Sequence, residues 1–186
     1  IINMNIIQKI IRFLLQVLGL MKKQANTIAP VPHATVSHET PASLETPPEP
    51  TNADKLCAVA ISYLGKDASP KDKASDEVGC SESISNIIHE AFPDFPAELL
   101  ATDVLNRLLK NSNRFKAELE LSRGAIIISP RTATKNGHVG ICGDNGLIMS
   151  SNSKTGLFDA NYNWDTWIKT FGAKGRGLHT YIYKPV

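Results

Sequence analysis

The stretch Asn136–Ser151, NGHVGICGDNGLIMSS, decides how this chain folds. Apolar residues recur on both sides of Gly143-Asp144-Asn145-Gly146. Asn-Gly is the pair that tight hairpin turns favour, because both central residues need positive φ. The stretch therefore reads as two antiparallel strands, His138 to Cys142 and Leu147 to Ser151, joined by a short turn. Strand side chains alternate, so His138 shares a face with Gly140 and Cys142, and Val139 and Ile141 take the other. Which face meets the rest of the domain stays open.

Outward from the hairpin, Gly124 to Pro130 reads as a buried strand between breakers, and His179 to Tyr183 as a final strand. Upstream the period changes to that of helices. Thr51 or Asn52 can cap a helix through Leu56, Val59, Ala60 and Tyr63, with Gly65 as its stop. A second helix is expected to begin near Cys80 and to end before Pro93, burying Ile84, Ile87, Ile88 and Phe92. Thr102 opens a third, through Val104, Leu105, Leu108 and Leu109. Trp164 to Phe171 reads as a short helix. Helices first and strands after predict an α+β domain, with N-terminal helices packed on an antiparallel sheet.

This domain occupies residues 53–186, and two other zones precede it. Residues 1–23 place Asn5, Gln8, Lys9, Arg12 and Gln16 in one narrow wedge of a helix. The remainder of that helix is apolar, wider than a surface helix needs. The apolar run is short of the roughly 18 residues of a membrane span. Three readings follow: a signal peptide with Lys9 and Arg12 as its basic part, an interfacial anchor, or a helix buried in a larger assembly. Residues 24–52 carry Pro30, Pro32, Pro41, Pro47, Pro48 and Pro50 and read as an extended linker.

Net charge is +2 over 186 residues, which gives no footprint for nucleic acid. Cys57, Cys80 and Cys142 form neither an even disulfide framework nor a paired zinc spacing, so no metal and no cofactor is expected.

Cys57, within Leu56-Cys57-Ala58-Val59, and Cys142, beside the turn, have the settings of small buried hydrophobes. Cys80 differs. It follows Gly79 at the expected start of a helix, where unpaired first-turn amides favour a thiolate and can hold an oxyanion. A thiol there and an imidazole on a distant strand are the parts of a cysteine nucleophile and its base. His89, nine residues on, points to the opposite side of the same helix and cannot serve. His179, on the last strand among aromatics, reads as a core or edge histidine, and His138, breaker-flanked on a strand before a tight hairpin, is the expected base. A third group should orient its ring. Asn152 is the first candidate, with Ser150 on the same strand face as the alternative. Glu82 is read as a first-turn acid favoured by the helix dipole, since a carboxylate there would oppose thiolate formation.

These pieces, in this order, resemble the NlpC-type and CHAP (cysteine, histidine-dependent amidohydrolase/peptidase) superfamily of cell-wall hydrolases. The matching residues are Tyr63-Leu64-Gly65, Gly79-Cys80, Arg123-Gly124-Ala125-Ile126-Ile127-Ile128, Asn136-Gly137-His138-Val139-Gly140-Ile141 and Gly146-Leu147-Ile148-Met149-Ser150. The arrangement looks most like a branch found in bacteriophages. Three departures stand out. Gly-Cys-Ser-Glu replaces the common Asp-Cys-Ser-Gly, Ala125 replaces an aspartate, and neither histidine nor carboxylate occupies the third position. The resemblance implies a papain-like domain over roughly 52–186. It also implies Cys80 as nucleophile, His138 as base and Ser150 or Asn152 as the third member. The implied activity is cysteine-dependent cleavage of an amide in bacterial peptidoglycan, by an endopeptidase or amidase. A phage lysis enzyme or virion-associated protein fits both halves, with residues 1–23 contacting a membrane or particle. Its place would be the virion or the host envelope, at the periplasm or inner membrane. The rival expectation is a non-catalytic structural or assembly protein that keeps the fold.

Overall fold

The computed structural model describes residues 48–69, 76–98 and 100–186. The apolar helix expected over 1–23, and the linker as far as residue 47, lie outside the described residues.

Thr51 begins the folded part. Its hydroxyl accepts from the Asp54 amide while Asp54 accepts from the Thr51 amide, a reciprocal cap that satisfies two otherwise orphaned donors. Helix α1, Asn52–Ser62, follows. Asp54 also pairs with Arg123, whose Nε reaches Asp144 Oδ1 at 2.7 Å. One guanidinium thus ties α1 to the hairpin turn. Helices α2 (Asp76–Ala91) and α3 (Thr102–Asn111) come next.

Strands β1 (Phe115–Glu118), β2 (Ile126–Ser129), β3 (His138–Cys142), β4 (Leu147–Asn152), β5 (Leu157–Asn163) and β6 (Tyr181–Pro185) form one sheet in the order β1-β6-β2-β3-β4-β5. Every neighbouring pair is antiparallel. Helix α4, Trp164–Thr170, lies between β5 and β6 in the chain. The domain is therefore α+β, with four helices and a six-stranded antiparallel sheet among the described residues.

The expected hairpin turn forms as Asn-Gly chemistry requires. Asn145 takes φ 56° and ψ 27°, Gly146 takes φ 71°, and the Leu147 amide closes on the Asp144 carbonyl. Both central residues have positive φ, the type I′ geometry that matches strand twist.

Alternation sorts the strand residues onto two faces. Ile126, Ile128, Val139, Ile141 and Met149 join Leu56, Ile84, Ile87 and Leu105 in the large core under α1, α2 and α3. Ile127 and Ile148 turn the other way and pack with Trp167 and Phe171. The open question of faces is answered: Val139 and Ile141 face the cysteine helix, and His138 looks toward α4.

Four features depart from expectation. Helix α2 begins at Asp76, so Cys80 lies a full turn inside it. Strands β1 and β5 were not anticipated. The last strand begins at Tyr181, which leaves His179 exposed and outside it.

Candidate functional site

Cys80 and His138 line one cleft of about 350 Å³. Two polar contacts seat the cysteine. Ser83 donates to the Gly79 carbonyl at 2.8 Å, and the Ser83 and Ser151 hydroxyls lie 2.5 Å apart. Since the Ser83 proton is committed to Gly79, Ser151 donates to Ser83. This link pins the first half of α2 to β4.

The β3–β4 ladder carries only the pairs Ile141↔Met149 and Cys142↔Ile148. Beyond them, Gly137 and His138 at the start of β3 and Ser151 and Asn152 at the end of β4 border the cleft. Gly137 allows the chain to enter there, because a Cβ at that position would lie 2.3 Å from Thr102 Oγ1 and 2.5 Å from the Ser129 carbonyl. No larger residue fits without moving backbone.

Cys80 is 4% exposed and belongs to the core on the α2 face. Its sulfur meets Ser81 Oγ at 3.9 Å and the Val139 backbone N–H rather than the imidazole. Burial pushes its pKa up to about 11, outweighing the hydrogen bonds from Ser81 and Val139. This corrects the expectation of a thiolate favoured by first-turn amides: the residue is neither in the first turn nor ionised at neutral pH. Glu82 is likewise not a first-turn acid, being fully buried one turn further in.

His138 is half-buried, bordering the cleft with three aromatic rings around it. Phe171 stacks on its ring at 4.8 Å, Trp167 lies tilted at 5.4 Å and Tyr162 meets it edge-on at 5.6 Å. Burial, with a smaller contribution from the nearby Arg176 charge, pulls its pKa down to about 3. The imidazole is therefore neutral across the physiological range. His138 Nε2 lies 3.0 Å from Ser150 Oγ, and Ser150 donates to Asn161 Oδ1 at 2.8 Å. The single hydroxyl proton goes to Asn161, so Ser150 accepts from Nε2–H. That fixes the tautomer and leaves the Nδ1 lone pair as the basic one.

Asn152, the first candidate for the orienting residue, is engaged elsewhere. Its Nδ2 donates to Asp159 at 3.0 Å, and its Oδ1 accepts from the Lys154 amide at 3.0 Å. It braces the β4–β5 turn and lines the cleft without bonding the imidazole. The alternative, Ser150, is the residue at Nε2, backed by Asn161. The other histidines are apart: His89 donates from Nδ1 to the Phe95 carbonyl at 2.6 Å, and His179 is exposed.

A measurement separates the two candidates. Ser150→Ala should leave Nε2–H without its acceptor, costing about 1–3 kcal/mol, and should turn the His138 ¹⁵N pattern from one tautomer into a mixture. Asn152→Ala should leave that pattern unchanged. If both variants, or neither, change it, the tautomer is set by something other than Ser150.

No protein-family model and no curated protein matches this chain. Among the described residues, no group of three or more His, Cys, Asp or Glu side chains is arranged to hold a metal ion. What the cleft offers is a thiol, a neutral imidazole of fixed tautomer and a backbone N–H beside the sulfur. Those are the parts required for acyl transfer to cysteine. Asn161, Tyr162, Trp167, Phe171 and Arg176 were not foreseen. The aromatic density from Tyr162 to Phe171, with Trp167 and Phe171 one helical turn apart, was the available signal.

Proposed function

We propose that residues 53–186 form a cysteine-dependent hydrolase that cleaves an amide bond of bacterial peptidoglycan. The observation that carries this is the shared cleft: Cys80 and His138, far apart in sequence, border one opening, and the imidazole is oriented through Ser150. The motif resemblance to NlpC-type and CHAP hydrolases supplies the substrate class.

The resting pair is a thiol and a neutral imidazole. As the Cys80 sulfur attacks the amide carbonyl, its proton passes to His138 Nδ1 and a C–S bond forms. The backbone N–H groups of Val139, Ser81 and Cys80, beside the sulfur, are donors available to the developing oxyanion. The C–N bond then breaks, and the imidazolium returns the proton to the leaving amine. Water attacks the thioester with His138 as base, releasing the carboxylic acid and restoring the thiol. The bond is a peptide cross-link, a stem bond or the amide joining the sugar to the first alanine. Residues 1–23 and the proline-rich linker would tether this domain to a membrane or a phage particle while it reaches the wall.

One observation favours a second reading, a structural or assembly domain of a phage particle without activity: the sulfur contacts Ser81 and Val139, not the imidazole. Mass spectrometry of defined peptidoglycan digested in H₂¹⁸O separates them. Hydrolysis should yield fragments with a new amine and a new carboxyl bearing one ¹⁸O per cut. A digest with no new termini would transfer the case to the structural reading.

A further inference from the structure

We infer that Arg176 forms a carboxylate-binding subsite of the cleft, so that the preferred ligand is a peptide carrying a free carboxylate within the reach of about three extended residues from the His138 imidazole. The inference rests on the hydrolase reading for the position of the amide, but not for the binding itself.

The charge pattern of the cleft carries it. Arg176 and Lys154 line the cleft, and no carboxylate does among the described residues. Arg107, Arg114, Arg123 and Arg131 are each paired with an aspartate. Arg176 is the one described arginine whose partners are all neutral. It donates from Nη1 to the Asn136 carbonyl at 2.7 Å, and its guanidinium lies over the Phe171 ring at 5.1 Å. These contacts orient the planar fork and leave its other donors unspent. An oriented, uncompensated guanidinium on a cleft wall suits bidentate carboxylate recognition.

Position relative to the chemistry follows from the same ring. Phe171 carries Arg176 at 5.1 Å and His138 at 4.8 Å. The guanidinium is therefore no further from the imidazole than those two distances together, the reach of about three extended residues. Arg176 also walls an adjoining hollow with Lys135 and Asn136, and the Lys135 ammonium lies close to Gly177. Two cations thus converge beside the cleft. A carboxylate there would also offset the Arg176 field that disfavours a proton on His138.

The test uses the full chain carrying Cys80→Ala, in which bond cleavage cannot proceed. The probe is L-Ala-γ-D-Glu-L-Lys with its C-terminal carboxyl capped as the amide and its glutamyl α-carboxyl either free or as the carboxamide, and affinity is read by calorimetry. The free acid should bind at least about tenfold more tightly, the worth of one charge-assisted pair. Adding Arg176→Ala should bring the ratio within about twofold, and Arg176→Lys should restore part of it. Equal binding of the two peptides, no binding of either, or a ratio that survives Arg176→Ala overturns the subsite. Cleavage by the unmutated protein is scored separately. Selective, Arg176-dependent binding without cleavage would keep the subsite and remove the hydrolase. Cleavage without selectivity would do the reverse.

Discussion

Cys80→Ala is expected to reduce fragment release from peptidoglycan by at least about a thousandfold, the scale on which removal of a nucleophile acts. Alanine removes the only thiol that borders the cleft, since Cys57 and Cys142 are buried away from it. Release that persists in the variant means that the sulfur is not the nucleophile. The resting protonation states add a second arm. With the Cys80 pKa pushed up to about 11 and that of His138 pulled down to about 3, no thiolate–imidazolium pair is stored. Alkylation of Cys80 by iodoacetamide should therefore climb about tenfold per pH unit between pH 7 and 10, because the thiolate fraction does. Near neutrality it should run about a hundredfold below a free cysteine of pKa 9.0, the two-unit difference converted. A rate that is flat across this range would reveal a preformed ion pair. Catalysis and alkylation then part company. In the substrate complex His138 takes the proton as the bond forms, so turnover does not wait for a free thiolate.

The sheet's centre was legible in the sequence and its margins were not. Strands β2, β3 and β4 announce themselves because each buries apolar residues between breakers, and the Asn145-Gly146 turn has one good conformation. Strands β1 and β5 went unseen because they are the two edges. Edge strands bury little: Phe-Lys-Ala-Glu and Leu-Phe-Asp-Ala-Asn-Tyr-Asn each bury one residue, and their alternation is carried largely by Ala, Lys, Glu, Asp and Asn, which strands disfavour. The site divides in the same way. Cys80 and His138 stand out through local setting. The choice between Ser150 and Asn152 could not be made locally, since both share one strand face. It turned on Asp159 and Lys154 occupying the Asn152 amide, and on Asn161 standing behind Ser150. The thiolate expectation failed for a related reason. A helix start is inferred from apolar periodicity, and the Asp76–Gly79 turn adds polar residues without changing that period. One extra turn moves Cys80 from exposed amides into the core, where desolvation controls its ionisation.

Trp167→Ala is expected to cost about 3–5 kcal/mol, as for other buried tryptophans truncated to alanine. Trp167 has no exposed surface, donates to Ser129 Oγ at 3.0 Å and packs on Phe171 at 4.8 Å. Its removal also opens the aromatic wall around His138. The imidazole pKa should then rise from about 3 toward its ordinary 6.5, read from the ring-proton shifts. The sign for stability follows from proton counting. In the unmutated chain the folded imidazole refuses a proton that the unfolded one accepts between pH 6.5 and about 3. The stability it permits is whole above pH 6.5 and falls with acid by about 1.4 kcal/mol per unit. Between pH 6.5 and 4.5 the unmutated chain should lose about 2 kcal/mol more than His138→Gln does, measured by urea unfolding. Trp167→Ala, with its imidazole rehydrated, should lose less than the unmutated chain over that window. Equal acid sensitivity in the unmutated chain and His138→Gln would mean that water already reaches the ring. The base would then be protonated in mildly acidic conditions, and the aromatic wall would serve packing alone.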